Sequence, residues 1–169
     1  EYKSEDDAQI RTHRFDRVFD FGVWGTGVKV AIIEDDCVSP THPDLNVVAT
    51  YLPNVNIGPH ATAVAGIIGS KSIFNPGHAR GVEIYSGNTG SFIDSQITAA
   101  TSWAISQGVE IVNMSFGVDS NRALTFLDRF VDYQVRYTAT TFVKSAGNAG
   151  TTDGDVSSPG LGWNILTVG

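Results

Sequence analysis

Three groups of polar residues in this 169-residue sequence are of types that could do chemistry. Three adjacent carboxylates, Glu34, Asp35 and Asp36, follow the apolar run VKVAII, His60 opens a small-residue segment, and Asn148 lies between two glycines in SAGNAG. Adjacent carboxylates suit a metal site or a solvated turn, and an imidazole can accept and return a proton near neutral pH. Taken singly, each group also fits a structural role, as an acidic turn, a helix-start histidine or a turn asparagine.

The elements that would position these residues can be predicted from hydrophobic patterning. Short apolar runs rich in β-branched residues predict five buried strands, which end at Ile33, Tyr85, Phe116, Ser145 and Val168. Small or helically spaced residues between them predict helices over 61–69, 93–107 and 121–137. Strands that are continuous apolar runs separated by helices indicate an α/β fold, a mainly parallel sheet in a three-layer αβα arrangement. Functional groups in such sheets gather at the carboxyl ends of the strands.

Composition narrows the function classes. Eleven Lys and Arg against eighteen Asp and Glu give a net charge of −7, and no basic stretch is present, which argues against nucleic-acid binding. No apolar run reaches the roughly 18 residues of a membrane span, so no membrane partner is expected. The single cysteine, Cys37, excludes an intrachain disulfide framework. The length suits one domain over residues 1–169, with a frayed end at 1–9.

Five sequence blocks, taken together and in this order, point to a known family. They are GTGVKVAIIE at 25–34, HPDL at 42–45, HATAVAGII at 60–68, IVNMSFG at 111–117 and SAGNAG at 145–150. This series resembles the subtilisin-like serine peptidases, and the resemblance extends over residues 25–169. It implies a subtilisin-like fold and hydrolysis of peptide bonds.

The resemblance also implies a role for each polar group. A carboxylate at the end of the first strand would orient His60, which would take a proton from a serine as that serine attacks a peptide carbonyl. The side chain of Asn148 would help to hold the oxyanion. An extended peptide or protein substrate would pair with three consecutive residues, Ser115, Phe116 and Gly117.

The identity of the triad acid depends on the register through the acidic turn. The family pattern carries aspartate at this position; counting from Lys29 along the strand puts Glu34 there, whereas counting back from His42 puts Asp35 there. We favour Glu34, because a one-residue slip within the strand would turn its buried side chains to the opposite face, whereas a loop absorbs an insertion easily.

Two further departures from the family pattern concern activity. The usual His-Gly-Thr-His becomes His60-Ala61-Thr62-Ala63, which retains the base but loses the glycine and the second histidine. The Gly-Thr-Ser segment that carries the family's nucleophile does not occur in residues 1–169. We therefore expect residues 1–169 to be a catalytic domain incomplete at its C-terminal end, inactive alone, whose partner is a remaining segment that supplies the serine.

Metal binding and rival functions complete the expectations. Asp44 in HPDL matches a calcium-ligating position of some relatives, but the usual ligand loop is not recognisable between 70 and 81, so no metal and no cofactor are expected. The alternatives are a non-catalytic subtilase-like module that binds peptides or proteins, and an unrelated α/β binding domain. Relatives are commonly secreted, which favours export by resemblance only and leaves the compartment open.

Overall fold

A computed structural model describes residues 15–52, 58–150 and 156–169, so the expected frayed end at 1–9 lies outside the described residues. The strands are β1 (Lys29–Glu34), β2 (Val47–Tyr51), β3 (Glu83–Asn88), β4 (Ile111–Met114), β5 (Thr141–Ser145) and β6 (Leu166–Val168). The helices are α1 (Phe15–Asp20), α2 (Pro59–Gly69), α3 (Asp94–Ser106) and α4 (Phe126–Thr138).

The strands form one sheet in the order β2-β3-β1-β4-β5-β6, and every neighbouring pair is parallel. β1 lies in the interior of the sheet, and each of its residues after Lys29 is buried. Parallel strands need crossover connections, which place helices on the faces of the sheet. The predicted α/β class, with its mainly parallel sheet in three layers, is confirmed.

Helices cover the two faces of the sheet unequally. On one face, α3 and α4 enclose a core that includes Ile33, Val112, Met114 and Phe142. On the other, α2 packs on β1 and β3 through small side chains, Ala61 and Ala65, which let the helix approach the sheet closely. This close contact fixes the start of α2 relative to the end of β1.

The α2 face of β4 and β5 is only partly covered by the described residues. Ile111, Asn113 and Val143 are half-buried, whereas Val112 and Phe142 on the opposite face are fully buried. A largely apolar cavity of about 370 Å³ lies over this part of the sheet and reaches Val30 in β1. Apolar sheet faces are normally covered by another layer.

The structure corrects several predicted boundaries. The helix predicted over 121–137 begins only at Phe126, because Asn121 and Arg122 have φ values of 48° and 63°, which no α-helix allows, and Thr125 caps the helix. β4 ends at Met114, two residues before the predicted end of its run, and β3 continues to Asn88, three residues beyond the predicted Tyr85. The last strand was predicted as buried, which is wrong: β6 lies at the edge of the sheet and exposes Leu166 and Val168.

One strand and one helix were absent from the prediction. β2 is an edge strand whose residues are half-buried or exposed, so it lacks the continuous apolar run that marked the other strands. The other element is the short helix α1. Among the described residues, no helix combines the length and the apolar character needed to cross a membrane.

The end of α4 yields a stability prediction. Ala139 follows this helix with a φ of 55°, a left-handed conformation that costs a residue with a Cβ. Ala139→Gly should therefore stabilise the complete protein by about 0.5–1 kcal/mol in thermal unfolding. The control, Ala99→Gly at an exposed position within α3, should destabilise it by about 1 kcal/mol. Equal losses of stability in Ala139→Gly and Ala99→Gly would contradict the left-handed conformation of Ala139 at the end of α4.

Candidate active site

The side chain of Glu34 lies at the carboxyl end of β1 and is 1% exposed. Its Oε1 accepts a hydrogen bond of 2.9 Å from the backbone N–H of Ser115, which follows the neighbouring strand β4. Its Oε2 is also buried, and no described residue forms a hydrogen bond with it. A buried carboxylate oxygen without a donor is costly, so this atom calls for a partner.

That unbonded oxygen faces the imidazole of His60. Nδ1 of His60 lies 3.4 Å from Oε2 of Glu34, a contact that is too long for a strong charge-assisted hydrogen bond. The side chain of His60 is 56% exposed, so the rest of its ring is accessible from outside. Glu34 and His60, which the resemblance implies as acid and base, therefore lie side by side, and the ring of His60 is open to a further group.

The first turn of α2 is held to the loop that follows β1. Asp36 accepts a hydrogen bond of 3.1 Å from the backbone N–H of Ala61 and so caps a helix whose own cap residue, Gly58, has no side chain. A Cβ on Gly58 would lie 1.7 Å from Oδ2 of Asp36, so only glycine permits this approach. Thr62 accepts a further bond of 3.0 Å from the N–H of Ser39. These bonds set the position of His60.

The three adjacent carboxylates point to different parts of the structure. Glu34 faces His60 and Asp36 caps α2, while Asp35 is half-buried and lines a cavity of about 270 Å³ beside Phe92. Within residues 15–52, 58–150 and 156–169, no three His, Cys, Asp or Glu side chains come together in a way that could hold a metal ion.

Burial raises the pKa of Glu34 to about 8. The Ser115 N–H lowers this pKa by stabilising the charged form, the nearby carboxylates of Asp36 and Asp35 raise it, and the ammonium of Lys144 lowers it. Desolvation is the dominant cause. A positive charge on the adjacent imidazole would offset that desolvation and favour the ionised carboxylate.

Asn148 and the segment 115–117 line a second cavity, of about 340 Å³. Asn148 is exposed on the turn after β5, between Gly147 and Gly150, whose φ values are 110° and 70°. Ser115, Phe116 and Gly117 line this cavity and also the one that contains Glu34 and His60. The residues named from the sequence thus surround two adjoining cavities at the carboxyl ends of β1, β4 and β5.

Three residues of this region were not singled out from the sequence. Phe92 stacks on Phe116 with ring centroids 4.5 Å apart, and Ser157 lines the larger cavity. Lys144 lies in β5 with its side chain fully buried. Only Lys144 leaves a sequence signal, as a charged residue inside the apolar run TFVKS, because the other two depend on contacts between distant segments.

The buried carboxyl of Glu34 makes a pH-dependent contribution to stability. Because its pKa in the folded protein, about 8, lies above the ordinary value of 4.5, ionisation opposes folding, and the stability present at low pH is lost as pH rises through this range. Glu34→Gln removes this ionisable group, so its Tm should rise relative to that of the parent as pH increases from 4.5 to 8. At pH 8 the difference in unfolding free energy should reach a few kcal/mol. The matched control is Glu83→Gln at the far end of the sheet. If the stability gained by Glu34→Gln relative to Glu83→Gln did not change with pH, the burial of an ionisable Glu34 would be contradicted.

Comparison with known proteins places the chain in a family. A family model described as the subtilase family, Peptidase_S8, matches residues 25–169. The chain is 33% identical over 160 aligned positions to subtilisin Savinase of Lederbergia lenta, covering 88% of this chain and 57% of that protein. It is 34% identical over 154 positions to subtilisin E of Bacillus subtilis (strain 168), covering 82% of this chain and 39% of that protein.

Solved structures show the same fold. The prenylagaramide maturation protease PagA superimposes with a TM-score of 0.75 at 20% identity, covering 92% of this chain and 57% of that one. The chain spans 57% or less of each of these three relatives. The family resemblance drawn from the five sequence blocks is confirmed, and an unrelated α/β binding domain is excluded. On the match over residues 25–169 and the identity to the subtilisins, this chain belongs to the subtilase family.

Proposed function

We propose that the complete protein is a serine endopeptidase that hydrolyses peptide bonds with Glu34 as triad acid and His60 as general base. The observation that carries this proposal is the buried, unbonded Oε2 of Glu34 only 3.4 Å from Nδ1 of His60. A buried carboxylate aimed at a half-exposed imidazole is the pairing that a triad uses to orient its base.

The proposed chemistry follows from this pairing. Above the Glu34 pKa of about 8, the carboxylate holds Nδ1 of His60 as the protonated nitrogen, which leaves Nε2 to take the proton from a serine hydroxyl. When the imidazolium forms, the buried carboxylate beside it stabilises its charge. The Ser115 N–H keeps the carboxylate aligned through Oε1 while Oε2 turns towards the base.

The remaining site residues act on the substrate in this proposal. Asn148 would donate its side-chain amide to the oxyanion that develops on the attacked carbonyl. The segment Ser115, Phe116 and Gly117 follows β4 and lines both cavities, so an extended peptide bound along it would pass between His60 and Asn148. The proposed substrates are peptides or proteins, and no step in this scheme requires a cofactor.

We further propose that the nucleophilic serine comes from a segment following residue 169, present in the same chain or as an associated cleaved chain. The relatives are longer than this chain, which spans 57% of subtilisin Savinase. The apolar cavity of about 370 Å³ on the α2 face, beside Ile111 and Val143, offers a place for a helix of that segment. A helix there would complete the layer that α2 begins, and residues 1–169 would form one catalytic domain with it.

Substitutions at the two candidate acids and the base test this proposal. In the complete protein, Glu34→Gln should lower kcat/KM on an unstructured protein substrate on the order of a thousandfold, because the base loses the charge that orients it. His60→Ala should reduce it at least as much. Asp35→Asn is the matched control, because Asp35 is the neighbouring carboxylate and lines the cavity without facing His60 in an ion pair.

The ranking of these variants decides the assignment, with circular dichroism used to verify that each one folds. A larger loss in Asp35→Asn than in Glu34→Gln would transfer the acid role to Asp35. Activity in His60→Ala within about threefold of the parent would remove the proposed base. A complete protein that binds peptides but hydrolyses none would instead be the non-catalytic module that the altered His60-Ala61-Thr62-Ala63 block allows.

A further inference from the structure

Lys144 is a buried cation that the proposed reaction does not use. Its side chain is fully buried, and it lies in β5, the strand that precedes the turn with Asn148. Nζ donates to the carbonyl oxygen of Ser145 and, at 3.0 Å, to Oγ of Ser157, while its third contact, to Oγ of Ser145, is 3.5 Å long. One of the three ammonium donors is therefore only weakly engaged.

The ammonium of Lys144 lies directly behind the wall of the cavity of about 340 Å³ that Asn148 lines. Ser157 and Gly117 both line that cavity, and a Cβ built on Gly117 would lie 1.9 Å from Oγ of Ser157 and 3.3 Å from Nζ of Lys144. The absence of a side chain at Gly117 thus leaves room for the Lys144–Ser157 bond. A ligand in the cavity would contact the Ser157 hydroxyl with the positive charge one hydrogen bond behind it.

The other polar groups of the cavity also suit an anion. Arg122 lines its wall, as does Asp119, whose Oδ1 already accepts a hydrogen bond of 3.0 Å from the N–H of Asn121. Oγ of Ser120 is buried in the lining, and no described residue forms a hydrogen bond with it. Among the described residues, the lining thus contains one arginine and one aspartate, and the ammonium of Lys144 lies behind it.

Buried carboxylates lie close enough to Lys144 to favour its charged form. Burial lowers its pKa to about 8, and the buried carboxylates of Asp128 and Glu34 oppose that decrease. A protonated amine in a site of low polarity acts on a nearby anion with little screening by solvent.

We propose that this cavity binds an acidic side chain of the substrate, so that the protein cleaves after Glu or Asp. Asn148, the proposed oxyanion donor, lines the same cavity, so the side chain that enters it belongs to the residue whose carbonyl is attacked. The carboxylate accepts from the hydroxyl of Ser120 and from that of Ser157, which must turn away from its present acceptor at 3.2 Å, the carbonyl oxygen of Ala146. The ammonium of Lys144 supplies the opposite charge. This inference rests on the proposed peptidase activity and names its substrate class.

The test compares peptides that are identical except for Glu, Gln or Leu immediately before the scissile bond. The complete protein should cleave the Glu peptide with a kcat/KM about tenfold or more above that of the Gln peptide, which matches it in shape but not in charge. Lys144→Met should reduce this ratio to about one, whereas a merely structural lysine would leave the ratio unchanged. The control, Arg129→Gln, removes one positive charge from an exposed position of α4 and should preserve the ratio.

Each outcome has a defined consequence. If the parent cleaves the Glu peptide with a kcat/KM no higher than that for the Gln peptide, the inference is overturned, even if Lys144→Met fails to fold. Ser157→Ala retains the lysine and should lower the ratio of the two kcat/KM values only partially. Cleavage of the Leu peptide without a preference for Glu contradicts the inference but leaves the proposed peptidase intact. If no peptide is cleaved, the proposed function fails, and binding of labelled Glu and Gln peptides then decides whether the cavity prefers an acidic side chain.

Discussion

A carboxylate buried at the carboxyl end of the interior strand is the constraint around which this site is arranged. Glu34 is almost fully enclosed, and a charge in such a place is costly unless neighbouring groups supply hydrogen bonds or opposite charge. The backbone of Ser115 provides one donor, and the imidazole of His60 faces the other oxygen. β1, β4 and α2 must therefore meet at this point, and the sheet order that makes β4 a neighbour of β1 brings Ser115 there.

Two other buried carboxylates hold the remaining parts of the site in place. Asp36 caps the first turn of α2 and so positions His60. Asp128 belongs to the capping box of α4 and also accepts hydrogen bonds from Ser158 Oγ at 2.9 Å and from Leu161 N–H at 3.0 Å. These bonds hold the segment that carries Ser157 against the cavity wall. Three acidic side chains thus accept hydrogen bonds from backbone N–H groups after β4, in the first turn of α2 and beside the cavity that Ser157 lines.

The fold and part of the site could be predicted because they depend on local patterns. Continuous apolar runs identified the buried strands, and the register of β1 placed Glu34 at its end, since a slip of one residue would expose a buried face. The half-exposed edge strand β2 had no such pattern. The capping bond from Ala61 to Asp36 and the contact between Lys144 and Ser157 join residues far apart in sequence, so no local spacing announces them.

The central claim is that the Glu34–His60 pair activates a serine located beyond residue 169. The most direct measurement is labelling of the complete protein with a fluorophosphonate, followed by mass spectrometry to identify the modified residue. The account predicts modification of a single serine after Gly169, and loss of that modification in a folded His60→Ala variant. Modification of a serine within residues 1–169, or no modification of the folded parent protein, would contradict it.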